Sequence, residues 1–95
     1  MKIGIIGLGY VGLPLARLFA TKYPVVGFDI NDQRIKELND GIDLTKEVET
    51  ELLKQVLVNK TPDDKGLYCS SRIGDLHGCD VYIITVPTPV DKQNR

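Results

Sequence analysis

The chain has 95 residues, of which 42% are hydrophobic and 26% are charged, and its formal net charge is −1. This length allows one domain, and the apolar content is enough for a packed core. The balanced charge excludes the basic excess that nucleic acids or anionic membrane surfaces attract, so we expect no nucleic-acid and no membrane partner. The apolar runs are too short to cross a bilayer and glycines interrupt the first one, so we expect a mature cytoplasmic protein without a secretory signal.

The first predicted element is a buried strand over residues 2–6, because a near-continuous run of β-branched residues is typical of a parallel strand covered on both faces. Helical periodicity follows from Tyr10 to Lys22, and Tyr23 and Pro24 are expected to end that helix. Four apolar residues recur at helical spacing and predict its buried face: Val11, Leu15, Leu18 and Phe19.

The remaining pattern alternates helices and strands. Residues 25–31 predict a second strand that closes at Asp29, and residues 32–39 predict a helix capped by Asn31 or Asp32. Further elements are predicted in this order: an amphipathic helix at 46–57, a strand at 67–71, a brief helical turn at 73–80 and a fourth apolar strand at 81–86. This alternation predicts an α/β fold, a Rossmann-type doubly wound parallel sheet with right-handed crossovers, truncated after the fourth strand.

The sequence offers no catalytic constellation. Cys69 and Cys79 lack the spacing of a metal site or a redox motif, so we expect both to be inert packing residues. His77 is the only histidine, lies in a polar loop and is expected at the surface. We therefore predict no catalytic residue and no metal ligand within the 95 residues.

The three glycines behind the first strand carry the functional signal. Gly7, Gly9 and Gly12 fit the pattern G-x-G-x-x-G, between a predicted strand and a predicted helix, as a dinucleotide-binding turn requires. The first glycine allows the tight turn, the second lets a pyrophosphate approach the backbone, and the third lets the helix pack closely on the strand. N–H groups at the helix start, including those of Tyr10 and Val11, point at the phosphates, where the helix dipole adds positive charge. A tight turn that binds nothing is the alternative.

An acidic residue completes the pattern. Asp29 lies about 20 residues beyond Gly9, at the end of the second strand, where a carboxylate accepts hydrogen bonds from the adenosine ribose. A carboxylate there also repels a 2′-phosphate, so the sequence favours NAD over NADP. The alternative for Asp29 is a helix-capping role, for which Asn31 and Asp32 are better placed.

Two further segments are candidates for cofactor contact. Arg34, one helical turn beyond Asn31, either lies near the adenosine end or is a solvent-exposed helix residue. Val86, Pro87 and Thr88 follow the fourth strand, at the carboxyl edge where ligands bind in doubly wound sheets. The Thr88 hydroxyl is a candidate donor to the cofactor, and the alternative is a turn between two prolines.

At "GLGYVGLPLA", "GFDIN" and "ITVPTPVDKQNR" the whole chain resembles the nucleotide-sugar dehydrogenases, the family of the UDP-glucose, GDP-mannose and UDP-N-acetylhexosamine 6-dehydrogenases. "VPTPVDK" with "GIDLTKEVETELL" is similar to the branch that acts on UDP-N-acetylglucosamine or UDP-N-acetylgalactosamine. The resemblance implies oxidation of a C6 alcohol to a uronic acid with two NAD, through an enzyme-bound thioester, for capsule or O-antigen synthesis. It also implies NAD-binding positions at Tyr10, Val11, Asp29, Arg34 and Thr88.

The family's chains run to several hundred residues, so the resemblance places the substrate and catalytic domains beyond Arg95. We therefore expect residues 1–95 to be the N-terminal part of an NAD-binding domain with no turnover alone. The parent would take a UDP-sugar substrate and form a homo-oligomer. Truncation is expected to leave the strand at 81–86 as an exposed apolar edge that self-associates or binds poorly folded partners.

Three alternatives to the dehydrogenase stay open from the sequence. The first is a regulatory module that binds NAD without chemistry, as in modules that gate potassium transport, although those lack "VPTPVDK". The second is an FAD-binding half-domain, which more often carries Glu at the position of Asp29. A methyltransferase is a third, although its glycine spacing usually differs.

Overall fold

A computed structural model describes residues 1–9, 11–43 and 48–85 of the chain. Its helices and strands, in chain order, are β1 Ile3–Ile6, α1 Gly12–Ala20, β2 Pro24–Phe28, α2 Asp32–Asn39, α3 Thr50–Val56, β3 Gly66–Ser70, a 3₁₀ helix Ile73–Leu76, and β4 Val81–Ile84. The observed order agrees with the predicted one, and most boundaries move by one to four residues. Among these residues, no helix has the length and apolar character needed to cross a membrane.

The four strands form one parallel sheet in the order β3-β2-β1-β4. Ile3 lies in register with Val25 of β2 on one side and with Val81 of β4 on the other. The chain moves outward from β1 to β3 and then returns to the opposite side of β1. The sheet is therefore the predicted α/β arrangement, and the strand order reverses between β1 and β4, where α/β sheets bind their ligands.

The two faces of the sheet are covered unequally. On one face, side chains of β1, β2 and β3 pack with those of α1, α2 and α3 in one large buried cluster that includes Ile5, Leu13, Leu38 and Leu53. On the other face, a small cluster of Val26, Phe28 and Leu76 packs beneath the 3₁₀ helix. The two clusters alternate along the strands, because successive side chains of a strand point to opposite faces.

The predicted buried face of α1 was wrong. Val11 and Leu18 are 62% and 57% exposed. The buried residues are Gly12, Leu13, Ala16 and Ala20, whereas Leu15 and Phe19 pack only at the margin of the large cluster. Small residues let the helix axis come close to the sheet, so close packing selects the alanine face rather than the face with the larger side chains.

Local signals set the helix ends. The Asn31 side chain accepts a hydrogen bond from the Arg34 N–H at 3.1 Å and so caps α2, as one of the two predicted capping residues. Gly41 follows the end of α2 with a φ of 82°, a conformation that favours glycine. Pro24, expected to end α1, instead begins β2.

The two edges of the sheet also differ. Outside β3, Leu57 forms a parallel bridge with Leu67, and the Val58 N–H donates to the Leu67 carbonyl at 2.9 Å. In the part of the chain that the structure describes, β4 is the last strand on its side, and Tyr82 and Ile84 are 49% and 68% exposed. The exposed apolar edge predicted at 81–86 is therefore present at the described residues of β4.

Candidate dinucleotide-binding site

The loop from Gly7 to Gly12 joins the carboxyl end of β1 to the start of α1, and its first glycine is required by the backbone. Gly7 has a φ of 101°, and a Cβ there would lie 1.9 Å from the carbonyl oxygen of Thr85. Its N–H donates to the Phe28 carbonyl at 2.7 Å. No other residue can make this turn without displacing β4, because a side chain would both strain φ and collide with backbone.

The third glycine lets the helix start lie directly against the loop. A Cβ on Gly12 would lie 1.7 Å from the Gly7 carbonyl oxygen and 2.6 Å from the Thr85 hydroxyl. These contacts are too short for any side chain, so Gly12 sets how closely α1 approaches the end of β1.

The middle glycine has a different environment. A Cβ on Gly9 would meet no described atom within 4 Å, so the fold does not itself require a glycine there. As far as residues 1–9, 11–43 and 48–85 show, the space beside Gly9 is open at the sheet edge where α1 begins. A ligand that occupies this space can approach the Gly9 backbone closely only while no side chain is present.

The start of α1 provides hydrogen-bond donors beside that space. The Leu13 N–H donates to the Gly9 carbonyl at 3.2 Å, and Pro14 has no N–H. The first-turn N–H groups that an α-helix leaves without carbonyl partners are then those of Val11 and Gly12. Together with the helix dipole, they form a site suited to an anion.

Two charged side chains hold the peptide groups of Leu8. The Leu8 N–H donates to the Asp29 carboxylate at 2.9 Å. The Leu8 carbonyl accepts from Arg34 Nε at 2.9 Å and from Arg34 Nη2 at 2.6 Å. The Leu8 side chain is fully buried in the large cluster. The residue between the first two glycines is thus fixed at its N–H, its carbonyl and its side chain.

Asp29 keeps acceptor capacity towards solvent. Its second oxygen accepts from the Asn31 N–H at 3.0 Å, and the residue is partly exposed at the end of β2. Each carboxylate oxygen has a further lone pair, so the group can accept hydrogen bonds from two hydroxyls while it holds the loop. The α2 cap is Asn31 and not Asp29, which removes the capping alternative for Asp29.

Arg34 lies at the loop and not in solvent, and it is paired. Its Nη1 lies 2.8 Å from an Asp43 oxygen, with the Arg34 and Asp43 side chains 11% and 0% exposed. The other Asp43 oxygen accepts from the Val48 N–H at 2.9 Å. Asp43 was not predicted from the sequence, although a carboxylate next to the apolar Ile42 and Leu44 is the one available sign of a buried acid.

Thr85 connects β4 to the same loop. Its hydroxyl donates to the Gly7 carbonyl at 2.8 Å, and its N–H donates to the Ile6 carbonyl at 2.8 Å. Thr85 was also not predicted. Four predicted contact residues lie outside the described residues, so their predicted roles stay predictions: Tyr10, Val86, Pro87 and Thr88.

The remaining titratable groups lie elsewhere. His77 is exposed, as expected. Burial raises the pKa of the Cys69 thiol to about 12, and burial also raises the pKa of Cys79. Both cysteines are free thiols. Among residues 1–9, 11–43 and 48–85, no group of three or more His, Cys, Asp or Glu residues is arranged to hold a metal ion.

These features fit a dinucleotide. Among the described residues, the approach at Gly9 and the first-turn N–H groups of α1 suit a pyrophosphate, and a partly exposed carboxylate at the end of β2 suits a ribose diol. The fold and this site define a dinucleotide-binding domain of the Rossmann type. The chain belongs to the UDP-glucose/GDP-mannose dehydrogenase family, as its NAD binding domain, because the model of that domain matches residues 1–95.

Several relatives in this family are named as dehydrogenases of UDP-sugars. The chain is 46% identical to the UDP-N-acetyl-D-glucosamine 6-dehydrogenase of Pseudomonas aeruginosa, over 100% of this chain and 21% of the relative. It is also 46% identical to the enzyme of the same name from Salmonella typhi, over 96% of this chain and 20% of the relative. The chain therefore spans about a fifth of the length of the curated relatives it matches.

Comparison with solved structures indicates the same family and the same fold. The UDP-N-acetyl-mannosamine dehydrogenase of Staphylococcus aureus matches with a TM-score of 0.76 and 34% identity, over 99% of this chain and 21% of that one. The GDP-mannose dehydrogenase of Pseudomonas aeruginosa matches with a TM-score of 0.74 and 26% identity, over 97% of this chain and 21% of that one. The recognised family and the Rossmann fold are thereby confirmed, and membership favours a dehydrogenase over a sensing module or an FAD half-domain.

Proposed function

We propose that residues 1–95 form the adenosine-diphosphate half of the NAD site in a 6-dehydrogenase of UDP-N-acetylhexosamines. The proposed parent oxidises the C6 alcohol of its substrate to a uronic acid with two NAD, for capsule or O-antigen synthesis. One observation above all supports the cofactor site. Nothing among the described residues requires a glycine at position 9, yet Gly9 lies beside a helix start, and the N–H and the carbonyl of the preceding Leu8 are both held by hydrogen bonds.

Each described residue then has a defined task. The N–H groups of Val11 and Gly12 bind the pyrophosphate, and Gly9 keeps the approach to it free of a side chain. Asp29 accepts the adenosine ribose hydroxyls, and Arg34 donates to the same ribose through the two N–H groups that its bonds to Leu8 and Asp43 do not use. NAD supplies the hydride acceptor for the oxidation.

The substrate part of the proposal is supported by the names of the relatives. Of three relatives at 46% identity, two are UDP-N-acetyl-D-glucosamine 6-dehydrogenases and one is the protein CapL of Staphylococcus aureus. Others are UDP-N-acetyl-D-mannosamine dehydrogenases. Cys69 is buried and its thiol has a pKa of about 12, so it is a poor thiolate nucleophile. We therefore assign the catalytic residues and the sugar pocket to sequence outside this chain. The free cysteines suit a reducing cytoplasm, where we place the parent.

Binding of the cofactor is tested at Gly9. Calorimetric titration of the chain with NAD and with ADP-ribose is expected to give weak binding, on the order of millimolar. Gly9→Ala is expected to leave the melting temperature unchanged, because its Cβ meets no described atom within 4 Å, and to weaken both ligands at least tenfold.

Gly74→Ala is the matched control, since a Cβ at Gly74 also meets nothing within 4 Å, in the 3₁₀ helix away from the loop. It is expected to change neither stability nor binding. Equal binding by the two alanine variants would contradict the assignment of the pyrophosphate to Gly9.

The substrate class is tested on a full-length protein that carries this domain. NADH formation is measured with UDP-N-acetylglucosamine, UDP-N-acetylgalactosamine, UDP-glucose and GDP-mannose. The proposal predicts turnover with an N-acetylated UDP-sugar and two NADH formed per uronic acid. Turnover with UDP-glucose or GDP-mannose alone would contradict the substrate class and leave the NAD site unaffected.

A further inference from the structure

We propose that Asp43 is a specificity-determining residue of the dinucleotide site, which excludes NADP by keeping the Arg34 guanidinium paired. The inference rests on the proposed NAD site and deepens it. In the proposed site, the choice between NAD and NADP depends on the Asp29 carboxylate, which repels a 2′-phosphate. The geometry around Arg34 assigns a second carboxylate to that choice, one that does not need to touch the cofactor.

The position of Arg34 makes it a natural partner for a 2′-phosphate. Its Nε and Nη2 donate to the Leu8 carbonyl, while Asp29 holds the N–H of the same residue. The guanidinium and the ribose-binding carboxylate therefore lie on the two ends of one residue. An arginine close to this carboxylate position is the group that accommodates the 2′-phosphate in NADP-binding sites of this fold.

Asp43 occupies that guanidinium. The Nη1–Oδ1 distance is 2.8 Å, and the Asp43 side chain has no exposed surface. A guanidinium is well matched to phosphate because it is a planar cation with paired donors, but a carboxylate at hydrogen-bond distance offsets its attraction for a second anion. The pair still provides donors for neutral ribose hydroxyls, so NAD loses little while a 2′-phosphate loses its counterion.

Burial prevents Arg34 from changing partners. The second Asp43 oxygen accepts from the Val48 N–H, which fixes the carboxylate in the segment that follows α2. If Arg34 turned towards a 2′-phosphate, it would leave a buried carboxylate without its cation, a costly state in a low-dielectric interior. The pairing is thus maintained when either dinucleotide approaches.

The test is the ratio of the NADP and NAD dissociation constants, measured by calorimetry on the unmodified chain and on variants. In Asp43→Asn the guanidinium loses its carboxylate counter-charge, and the ratio is expected to fall about tenfold in favour of NADP. Asp43→Glu retains a carboxylate partner and is expected to keep the unmodified ratio. Asp63→Asn changes the net charge equally from an exposed loop position and is expected to have no effect on the ratio.

A purely structural role for Asp43 would weaken both dinucleotides equally and leave the ratio unchanged in Asp43→Asn, which would overturn the inference. If neither dinucleotide binds to the unmodified chain, the proposed NAD site itself fails and the inference fails with it. Binding of NAD with an unchanged ratio in Asp43→Asn contradicts only the role of Asp43.

A second variant decides the matter if Asp43→Asn does not fold. Asp29→Ser removes the carboxylate that repels the 2′-phosphate but leaves the Arg34–Asp43 pair in place. The ratio is expected to decrease and yet still favour NAD, because the Arg34 guanidinium stays paired with Asp43. A preference for NADP in Asp29→Ser would show that Arg34 was available all along and would overturn the inference.

Discussion

The two faces of the sheet differ in how firmly they hold the chain. The face covered by α1, α2 and α3 carries the large buried cluster, and the glycine loop enters α1 at its margin, with Leu8 buried in the same cluster. The opposite face has only the small cluster beneath the 3₁₀ helix, next to β4 with its exposed Tyr82 and Ile84. The candidate site is therefore built on the firmly packed face, where the large cluster holds its peptide groups in place before a ligand binds.

The largest expected effect compares one leucine from each face. Leu38 is fully buried in the large cluster, and Leu76 is 4% exposed in the small one. Truncation to alanine leaves a cavity whose cost depends on how well the surroundings collapse. We expect Leu38→Ala to lower the free energy of unfolding by about 4 kcal/mol and Leu76→Ala by about 2 kcal/mol. Urea denaturation measures both free energies of unfolding, and equal losses would contradict the unequal packing of the two sheet faces.

The next effect concerns the loop. Gly12→Ala places a Cβ 1.7 Å from the Gly7 carbonyl oxygen, so α1 has to move away from β1. We expect a loss of about 3 kcal/mol, at the upper end of overpacking costs. Thermal unfolding of this variant is compared with Gly9→Ala, which is expected to lose less than about 0.5 kcal/mol. A tolerated alanine at position 12 would show that the loop is less tightly packed than described.

A smaller expected effect is the pH dependence of stability, which differs between the two cysteines. Burial raises the pKa of the Cys69 thiol from 9.0 to about 12, so the folded chain keeps a proton that the unfolded chain releases. The stabilisation is complete below pH 9 and is lost as the pH rises from about 9 to about 12. We expect the free energy of unfolding of Cys69→Ala, taken relative to that of the unmodified chain, to be about 1 kcal/mol higher at pH 10 than at pH 8.

The control for this prediction is Cys79→Ala. Its thiol is only partly buried and lies beside the small cluster, so the corresponding pH-dependent change is expected to be smaller. Chemical denaturation of the three chains at the two pH values supplies the comparison. An identical pH dependence in both variants would contradict the deep burial of Cys69.

The smallest effect on stability lies at β4. Ile84→Lys places a charge on a side chain that is already 68% exposed, so the free energy of unfolding is expected to change by less than about 0.5 kcal/mol. The same change is expected to suppress self-association of the chain, because lysine on an edge strand opposes pairing with a second strand. Concentration-dependent light scattering checks this, and a monomeric unmodified chain would contradict the prediction.

Local patterns predicted the parts of the site that local geometry determines. The glycine spacing placed the turn between β1 and α1, and the distance to Asp29 placed a carboxylate at the end of β2. Both depend on residues that adjoin a strand end, where sequence and position are closely linked. The same reasoning identified Asn31 as a candidate α2 cap.

The missed features depend on contacts between distant residues. Asp43 reaches the loop only through Arg34, and Thr85 reaches Gly7 only because β4 pairs with β1. Neither contact leaves a periodic signal in the sequence. The buried face of α1 was missed for another reason: periodicity identifies apolar faces, but close approach to a sheet selects small residues such as Ala16 and Ala20.

The most direct test of the central claim is a titration of the ¹⁵N-labelled chain with NAD, followed by the backbone amide resonances. We expect the largest shifts at Gly9, Val11 and Gly12, with smaller ones at Asn31 beside the Asp29 carboxylate, and none at His77. Shifts concentrated in the groove of about 650 Å³ that is lined by Asn39 and Tyr68, with an unaffected glycine loop, would contradict it.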